Sequence, residues 1–486
     1  MKKKNTQPAK VSYFFGPGWK ELGDFIKKFG ALNQEDIKKR AEKVETGKGI
    51  MAFSGAGNLM SCVSLILFGT FFFGVITLAV SAILGVAFFV VYALILIIWL
   101  LDRINLVSKG IFVACPNCKS KYLIPTYICS NCGEKHTKLT PGKYGVFYRK
   151  CNCGQKLPSH FLTNRGSLDA ECPRCGVSLS GTGSKPLCIP VIGGRSSGKT
   201  AYITAFSYEF IEKVAPRNGI EIKHYNEETE NFYKSDINND YMGGTTRMTK
   251  TEMDLKQVSS KAFSFIVHHN KMNPDRIVQI YDVAGESFVD NTENEEQLQY
   301  SYCQGIIFMF DPLSIPTVRN YLDDSISEID KASVGTLDMD LVLDSFLNKL
   351  RQITGQSSTI VLNVPIAIVI SKGDIRTLDR FIGDEKISDY LSENNLDMDS
   401  FTVAEDRLCR QFLMENGLAS FVSNIDMKFK NNRYFKCSAI GHTREAGRYN
   451  PRGVLEPMEW IFQTADSGMK SIWHENQFGN VKRGEK

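Results

Sequence analysis

Hydrophobic spacing changes character several times along the chain. Between Trp19 and Lys43 the apolar positions Trp19, Leu22, Phe25, Ile26, Phe29 and Leu32 recur at helical intervals with lysines elsewhere, which predicts an amphipathic helix. Such a helix either lies in a membrane surface or packs on its own protein. From Ala56 to Leu101 no residue is charged and nearly every position is apolar. One membrane span needs about 20 residues, so this run has room for two helices joined by a tight turn near Gly74 to Ser81. A buried hairpin of a soluble protein would not need so long an uncharged stretch. Between 110 and 180 the apolar positions thin out and close pairs of cysteines replace them.

Beyond SLSGTGSK, a short flexible boundary at 178–185, brief apolar runs alternate with helical segments. LCIPVI, KAFSFIVHH, RIVQIYDVAG, GIIFMFDP, VPIAIVISKGD and RYFKCSAIG read as strands, and TAYITAFSYEFI as a helix. The alternation predicts an α/β fold: a doubly wound, mostly parallel sheet with its first strand at Leu187 to Ile192 and an antiparallel second and third strand. Asn218 to Met253 is polar and predicts a long mobile loop, and Tyr321 to Thr354 a charged helical region. The expected domains are a basic segment at 1–56, two membrane helices at 57–101, a double ribbon at 110–180 and the α/β domain at 186–480.

A chain of 486 residues can bury a sizeable core. Its net charge of +5 is mild but uneven: residues 1–56 hold 12 Lys or Arg against 6 Asp or Glu. That excess, with Arg103 and Lys109 after the apolar run, predicts a cytoplasmic-membrane protein with two spans whose N-terminus and α/β domain are both cytoplasmic. Trp99 suits an interfacial anchor. No cleavable signal peptide is expected, because the apolar core begins too late and runs too long.

Eight of the 13 cysteines form four close pairs. Cys115, Cys118, Cys129 and Cys132 follow C-x2-C-x10-C-x2-C, the pattern of two knuckles around a tetrahedral Zn²⁺. Cys151 and Cys153, then Cys172 and Cys175, supply a second set, with His136 and His160 as possible substitute ligands. Paired knuckles argue for metal binding in a reducing compartment and against disulfides. Lys119, Lys121, Tyr122, Tyr144, Phe147, Tyr148, Arg149 and Lys150 interleave aromatic and basic character, which would suit single-stranded nucleic acid. We read them as packing residues of a module with little core, since an adjoining bilayer would crowd out a long nucleic acid.

The stretch PVIGGRSSGKT places Gly193, Gly194, Arg195, Ser196, Ser197, Gly198, Lys199 and Thr200 in a phosphate-loop pattern. The glycines let backbone N–H groups curl round a β-phosphate, Lys199 reaches the β/γ oxygens and Thr200 ligates Mg²⁺. Asp282, at a strand end, would hold the Mg²⁺ water shell, and Gly285 would offer its N–H to the γ-phosphate. Thr246 and Thr249 are the candidates for a switch threonine. Lys372 and Asp374 in SKGD fit base recognition: the carboxylate accepts from the guanine N1–H and amine, which adenine lacks. Ser371 stands where Asn or Thr is usual. Ser438-Ala439 fits a loop whose backbone N–H reaches guanine O6. Glu286 follows Gly285 where a water-orienting Gln is common, and a carboxylate facing a γ-phosphate predicts slow intrinsic hydrolysis. Arg195 either contacts phosphate or points to solvent.

In their order these elements resemble P-loop GTPases of the translation-factor-related, Ras-like class. With the apolar hairpin and ribbons ahead of them, the chain resembles bacterial double-GTPase families of predicted conflict systems. That resemblance implies GTP-driven signalling in defence, with a second GTPase or an effector as partner; a homo-oligomer is compatible. The rival readings are an ATP-driven P-loop NTPase, kept open by Glu286, and a membrane-tethered scaffold or a nucleic-acid sensor acting through the ribbons.

Overall fold

Strict alternation inside two short apolar runs builds the centre of the protein. In a computed structural model describing residues 7–45, 52–194, 196–238, 262–283, 298–320, 339–354, 361–397, 401–441 and 449–473, the chain divides into two compact units. One comprises Met1–Ser108 with Thr126–Asp169, the other Lys109–Pro125 with Ala170–Lys486.

The second unit holds a seven-stranded sheet: β1 (Lys185–Gly193), β2 (Glu221–His224), β3 (Ala262–His269), β4 (Met272–Asp282), β5 (Ile306–Phe310), β6 (Ile366–Ile370) and β7 (Asn432–Lys436). Their order is β2-β3-β4-β1-β5-β6-β7. The β2/β3 and β3/β4 pairs are antiparallel and the rest parallel. Because a parallel strand is covered on both faces, β5 and β6 read as unbroken apolar runs, and alternate residues serve opposite cores. Ile306, Phe308 and Phe310 face one core together with Phe346, Phe412 and Phe421. Ile307 and Met309 face the other, with Phe206, Ile461 and Phe462. Each fully buried side chain of this size stabilises by about 1.5–3 kcal/mol.

Two expectations change here. The segment 218–238 is structured, with β2 pairing on the sheet edge and a helix at Glu227–Phe232 capped by Asn226, whose side chain accepts from Thr229 N at 2.8 Å. Alternating Ile222 and capping Asn226 carry that order, and polarity alone concealed it. The remainder of the expected loop, including Thr245, Thr246, Thr249 and Thr251, lies outside the described residues. Likewise 321–338 lies outside them, and the helix expected there is seen as Met339–Thr354.

In the first unit α1 (Pro17–Glu45) is followed by α2 (Ala52–Ser64), a π-helical stretch (Leu65–Phe72) and α3 (Phe73–Ser108) in one unbroken run. The turn expected near Gly74 to Ser81 is therefore absent: those residues are helical. One glycine, Gly74, interrupts the pattern there, no proline does, and the apolar side chains offer nothing to satisfy the backbone groups that a break would open. The helix from Ala56 to Ser108 is 53 residues long, about 80 Å at 1.5 Å per residue, and no residue of its most apolar window is buried. It is long and apolar enough to cross a membrane. Helix α1 packs on it, with Trp19 against Phe88 at 4.2 Å between ring centroids and Phe29 stacked on Phe73 at 4.0 Å. Of the two positions open to an amphipathic helix, the structure takes packing on its own protein.

The C-terminal end of α3 is fastened by a buried ion pair. Asp102 is fully buried and accepts from Arg165 Nη1 at 2.9 Å and Phe161 N at 3.1 Å. Arg165 also donates to the carbonyls of Leu139 and Ser159. The segment before α1 joins the same module: Lys10 N donates to Lys150 O and Asn152 N to Pro8 O.

Candidate nucleotide site and cysteine centres

The residues singled out for chemistry fall at the carboxyl ends of four parallel strands, β1, β4, β6 and β7, the edge where open α/β sheets bind ligands. The loop after β1 leads into α4 (Lys199–Tyr208). Gly193 must be glycine, because a Cβ there would strike Met309 O on β5 and sit 2.8 Å from Ser197 Oγ. Gly198 has φ +82° and Ser196 φ +59°, left-handed conformations that turn successive N–H groups inward. Lys199 Nζ donates to Gly193 O at 2.9 Å and Gly194 O at 2.7 Å, which curls the loop about its ammonium group. Ser197 Oγ is buried without a hydrogen-bond partner among the described residues, the condition expected of a group awaiting a ligand.

Thr200 Oγ1 donates to Asp282 Oδ2 at 2.6 Å. The parallel pairing of Asp282 with Val191 brings them together across β4 and β1. A hydroxyl and a carboxylate oxygen on one point beside a phosphate loop are the hard donors that Mg²⁺ takes. Arg195, Gly285 and Glu286 lie outside the described residues.

Beyond β5 the residues expected at the base come together from three strand ends. Lys372 has φ +54°, uncommon for a residue with a side chain, and its Nζ donates to Asp311 Oδ2 at 2.7 Å. Asp311, just beyond β5, went unnoticed as a site residue in the sequence; the signal was an acidic residue ending an apolar strand. It also accepts from Leu313 N at 3.0 Å, which holds its carboxylate still. Ser438 Oγ donates to Asp374 Oδ1 at 2.7 Å and accepts from Gly441 N at 2.8 Å. A carboxylate has two oxygens and several lone pairs, so Asp374 can accept from a base as well. Ala439 follows, half-buried. Ser371 uses its hydroxyl on Phe310 O at 3.0 Å, and its Cβ lies 3.9 Å from where a Cβ on Gly198 would stand, so the phosphate and base elements adjoin. Burial first, then the carboxylates of Glu456, Asp374 and Glu405, push the nearby Cys437 thiol up, so it stays protonated.

Residues 187–425 match the family model Double-GTPase 2. The chain carries a double-GTPase 2 domain. The double-GTPase domain is thus placed on the sheet whose strand ends have just been described. Among curated proteins, the chain is 23% identical over 318 residues to SaeC of Mycolicibacterium smegmatis, a protein named for ESX-1 scaffolding and assembly; the match covers 60% of this chain and 78% of that one. Among solved structures, the Saccharomyces cerevisiae Ski7 GTPase-like domain bound to GTP is 13% identical with a TM-score of 0.27, covering 58% of this chain and 50% of that one. The chain thus spans half the length of that domain. The Arl6 BBS3 small GTPase of Trypanosoma brucei, with GppNp bound, is 12% identical with a TM-score of 0.25, covering 58% of this chain and 97% of that one. Likenesses this remote carry no argument.

The cysteines group differently from their order in sequence. Cys115 and Cys118 meet Cys172 and Cys175, while Cys129 and Cys132 meet Cys151 and Cys153. In the first group Cys115 and Cys175 sulfurs are 3.6 Å apart, and Cys118 and Cys172 3.5 Å. In the second the cross-pairs stand at 3.7 and 3.6 Å. Four sulfurs about 2.3 Å from a tetrahedral zinc stand roughly 3.7–3.8 Å apart, so both groups fit Zn²⁺ and neither fits a disulfide. Consecutive pairs were expected to share an ion; instead the second centre is inserted within the first. Each pair sits in its own antiparallel hairpin: Val113–Ala114 pairs with Lys121–Tyr122 around Cys115 and Cys118, and Ala170–Glu171 with Ser178–Leu179 around Cys172 and Cys175, in one unit; Thr126–Ile128 pairs with Lys135–His136 around Cys129 and Cys132, and Tyr148–Lys150 with Lys156–Pro158 around Cys151 and Cys153, in the other. The segment 110–180 is therefore divided between the two units.

Neither histidine completes a set. His136 is buried with Nε2 3.4 Å from Cys151 Sγ, placed to hydrogen-bond a ligand sulfur, and His160 caps a short helix by accepting from Leu162 N. Hydrogen bonds from Asn131 and then from the Gln155 backbone pull Cys153 down to about 6, which favours the thiolate a metal requires.

Proposed function

We propose that the protein is a membrane-attached guanine-nucleotide switch that binds GTP with Mg²⁺ and hydrolyses it slowly until a partner acts. The observation that carries this reading is the Ser438–Asp374 hydrogen bond at the same sheet edge as the Lys199 loop and the Thr200–Asp282 pair. It orients a carboxylate for the donor edge of guanine. GTP would be held by the loop from Gly193 to Thr200, by Lys372 and Asp374 around the base, and by the backbone of Ala439. Mg²⁺ would sit with Thr200 and Asp282, and its charge would offset that of the phosphates. Glu286 in place of a neutral residue motivates the slow hydrolysis, and a second GTPase or an effector is the partner the family suggests.

Membrane attachment rests on the exposed apolar surface of α2 and α3. Both flanks of that run meet in one module, since residues 8–10 bond residues 150–152. Both therefore belong on one side of a bilayer, the cytoplasmic side by their charge. Entering and returning requires the helix to bend, with Gly74 to Ser81 the region we favour, and requires the charged α1 to move to the membrane surface. Cysteine labelling from the outer face of intact cells tests this: a probe at position 77 reacts if the helix turns there, and no labelling defeats the two-span arrangement.

Competition binding tests the nucleotide. GTP should displace a labelled guanine nucleotide far better than ATP, and Asp374→Asn should remove that preference. Unchanged discrimination in Asp374→Asn defeats the reading. A second reading, a scaffold that binds nucleotide without turnover, is favoured by the scaffolding name of the curated relative. It would show GTP binding with no phosphate release, alone or with partner.

A further inference from the structure

The first cysteine centre lies inside the nucleotide unit, and its backbone is bonded to the strand that carries Asp282. Ala114, next to Cys115, is buried in the domain core, and its carbonyl accepts from the buried Gln279 Nε2 at 3.2 Å. Gln279 stands three residues before Asp282 on β4. Its Oε1 in turn accepts from Tyr281 OH at 3.2 Å and from Cys188 Sγ on β1 at 3.2 Å. A second tie runs to the chain that resumes at 298, beyond the DVAGE sequence. Tyr302 OH donates to the carbonyl of Lys119, the residue after Cys118, at 2.8 Å. Lys121 Nζ lies over the Phe112 ring at 4.1 Å and the Tyr302 ring at 6.0 Å. Gln304 then bonds both N and O of Cys188 on β1. The Cys172–Cys175 arm is seated too, because a Cβ on Gly181 would press on Ile266 of β3 at 2.9 Å.

We propose that Zn²⁺ bound by Cys115, Cys118, Cys172 and Cys175 is a built-in support of the nucleotide site. It fixes β4 and residues 298–304, the two chain segments that bracket the DVAGE sequence, so that loading this centre raises guanine-nucleotide affinity. The knuckle has little core of its own, and without a metal four clustered thiols have nothing to hold 109–125 against 170–180. The four cysteines of the second centre all belong to the first unit. The inference rests on the guanine-nucleotide reading above.

The test uses the full-length chain in lipid nanodiscs and compares Cys118→Ser/Cys175→Ser with Cys132→Ser/Cys153→Ser. Each pair of changes should lower bound zinc from two ions to one. Only the first should lower affinity for a non-hydrolysable GTP analogue, by about tenfold, and raise amide hydrogen exchange across 272–282 and 298–304. Tyr302→Phe, which keeps the ring and both zinc ions, should raise exchange at 298–304 and weaken binding about threefold. Equal effects of the two cysteine pairs, or no effect of the first, overturn the proposal, as does unchanged exchange in Tyr302→Phe. If the unaltered chain binds no guanine nucleotide, the functional reading fails instead, and the exchange of 272–282 alone decides whether the centre supports the strand.

Discussion

The two cysteine centres share chemistry and knuckle construction but not surroundings. In the first, Cys115 and Cys172 are buried, Cys118 is half-buried and Cys175 is exposed; in the second, Cys132 and Cys153 are both exposed. The first is bonded to the core of the double-GTPase domain, and the second stands with the Asp102–Arg165 pair at the end of the long helix. The lesson is that a ligand pattern names the ion, whereas the hydrogen bonds around the ligands decide what the ion supports. Each unit also has its own buried charge cluster. In the nucleotide unit Asp466 accepts from Lys185 Nζ at 2.6 Å, Arg276 Nε at 2.9 Å and Met469 N at 2.8 Å.

The largest effects should come from breaking these clusters one unit at a time. Removing one partner of a buried ion pair costs about 3–5 kcal/mol, so Asp466→Asn should lower the melting transition of the nucleotide unit and Asp102→Asn that of the helical unit. Differential scanning calorimetry on both variants checks this, and a single shared shift would show that the units do not melt separately. Lys199→Ala should cut affinity for Mg²⁺ and GTP on the order of a hundredfold while leaving both zinc ions and both transitions in place, because its ammonium donates to the Gly193 and Gly194 carbonyls that shape the loop. Isothermal titration calorimetry with zinc analysis separates those outcomes.

A chromophoric chelator should extract zinc in two phases, the faster from the more exposed second centre. The fast phase should vanish in Cys132→Ser/Cys153→Ser, and its survival there would reverse the assignment. The smallest effect concerns pH. Burial, and then the charge of Glu456, push Glu459 up to about 8. The folded state therefore holds this proton more tightly than the unfolded chain, and the associated stability is present below the ordinary carboxylate range and lost as pH rises towards 8. The nucleotide unit should melt higher at pH 6 than at pH 8, by about a degree or two, and Glu459→Gln should flatten that slope. A slope unchanged by the substitution removes Glu459 as its source.

Much of the fold was legible because burial leaves a period in the sequence. IIFMF and IAIVI are apolar throughout because parallel strands are covered on both faces, and that fact alone located the centre of the sheet. The phosphate loop was legible for the same kind of reason, since a Cβ at Gly193 or a right-handed Gly198 would destroy it. Local polarity was a poorer guide: it hid β2 and the capped helix after it, where a strand edge and one Asn cap do the ordering. The acidic Asp311 went unread because its value depends on Lys372, distant in sequence and brought across one strand.

By itself, then, the sequence determined the glycine loop after β1, the strands around it, the clustering of the cysteines and the helical apolar run. Each depends on residue type at short spacing, which local sterics and solvation translate directly into structure. Only the tertiary structure decided which cysteine pairs come together and which strand ends meet beside the glycine loop. Those outcomes are set by which segments pair and which backbone groups are satisfied, and four similar knuckles carry no local mark of their partner. Two nested groups of four cysteines, one bonded through Gln279 and Tyr302 to β4 and to residues 298–304, are the result.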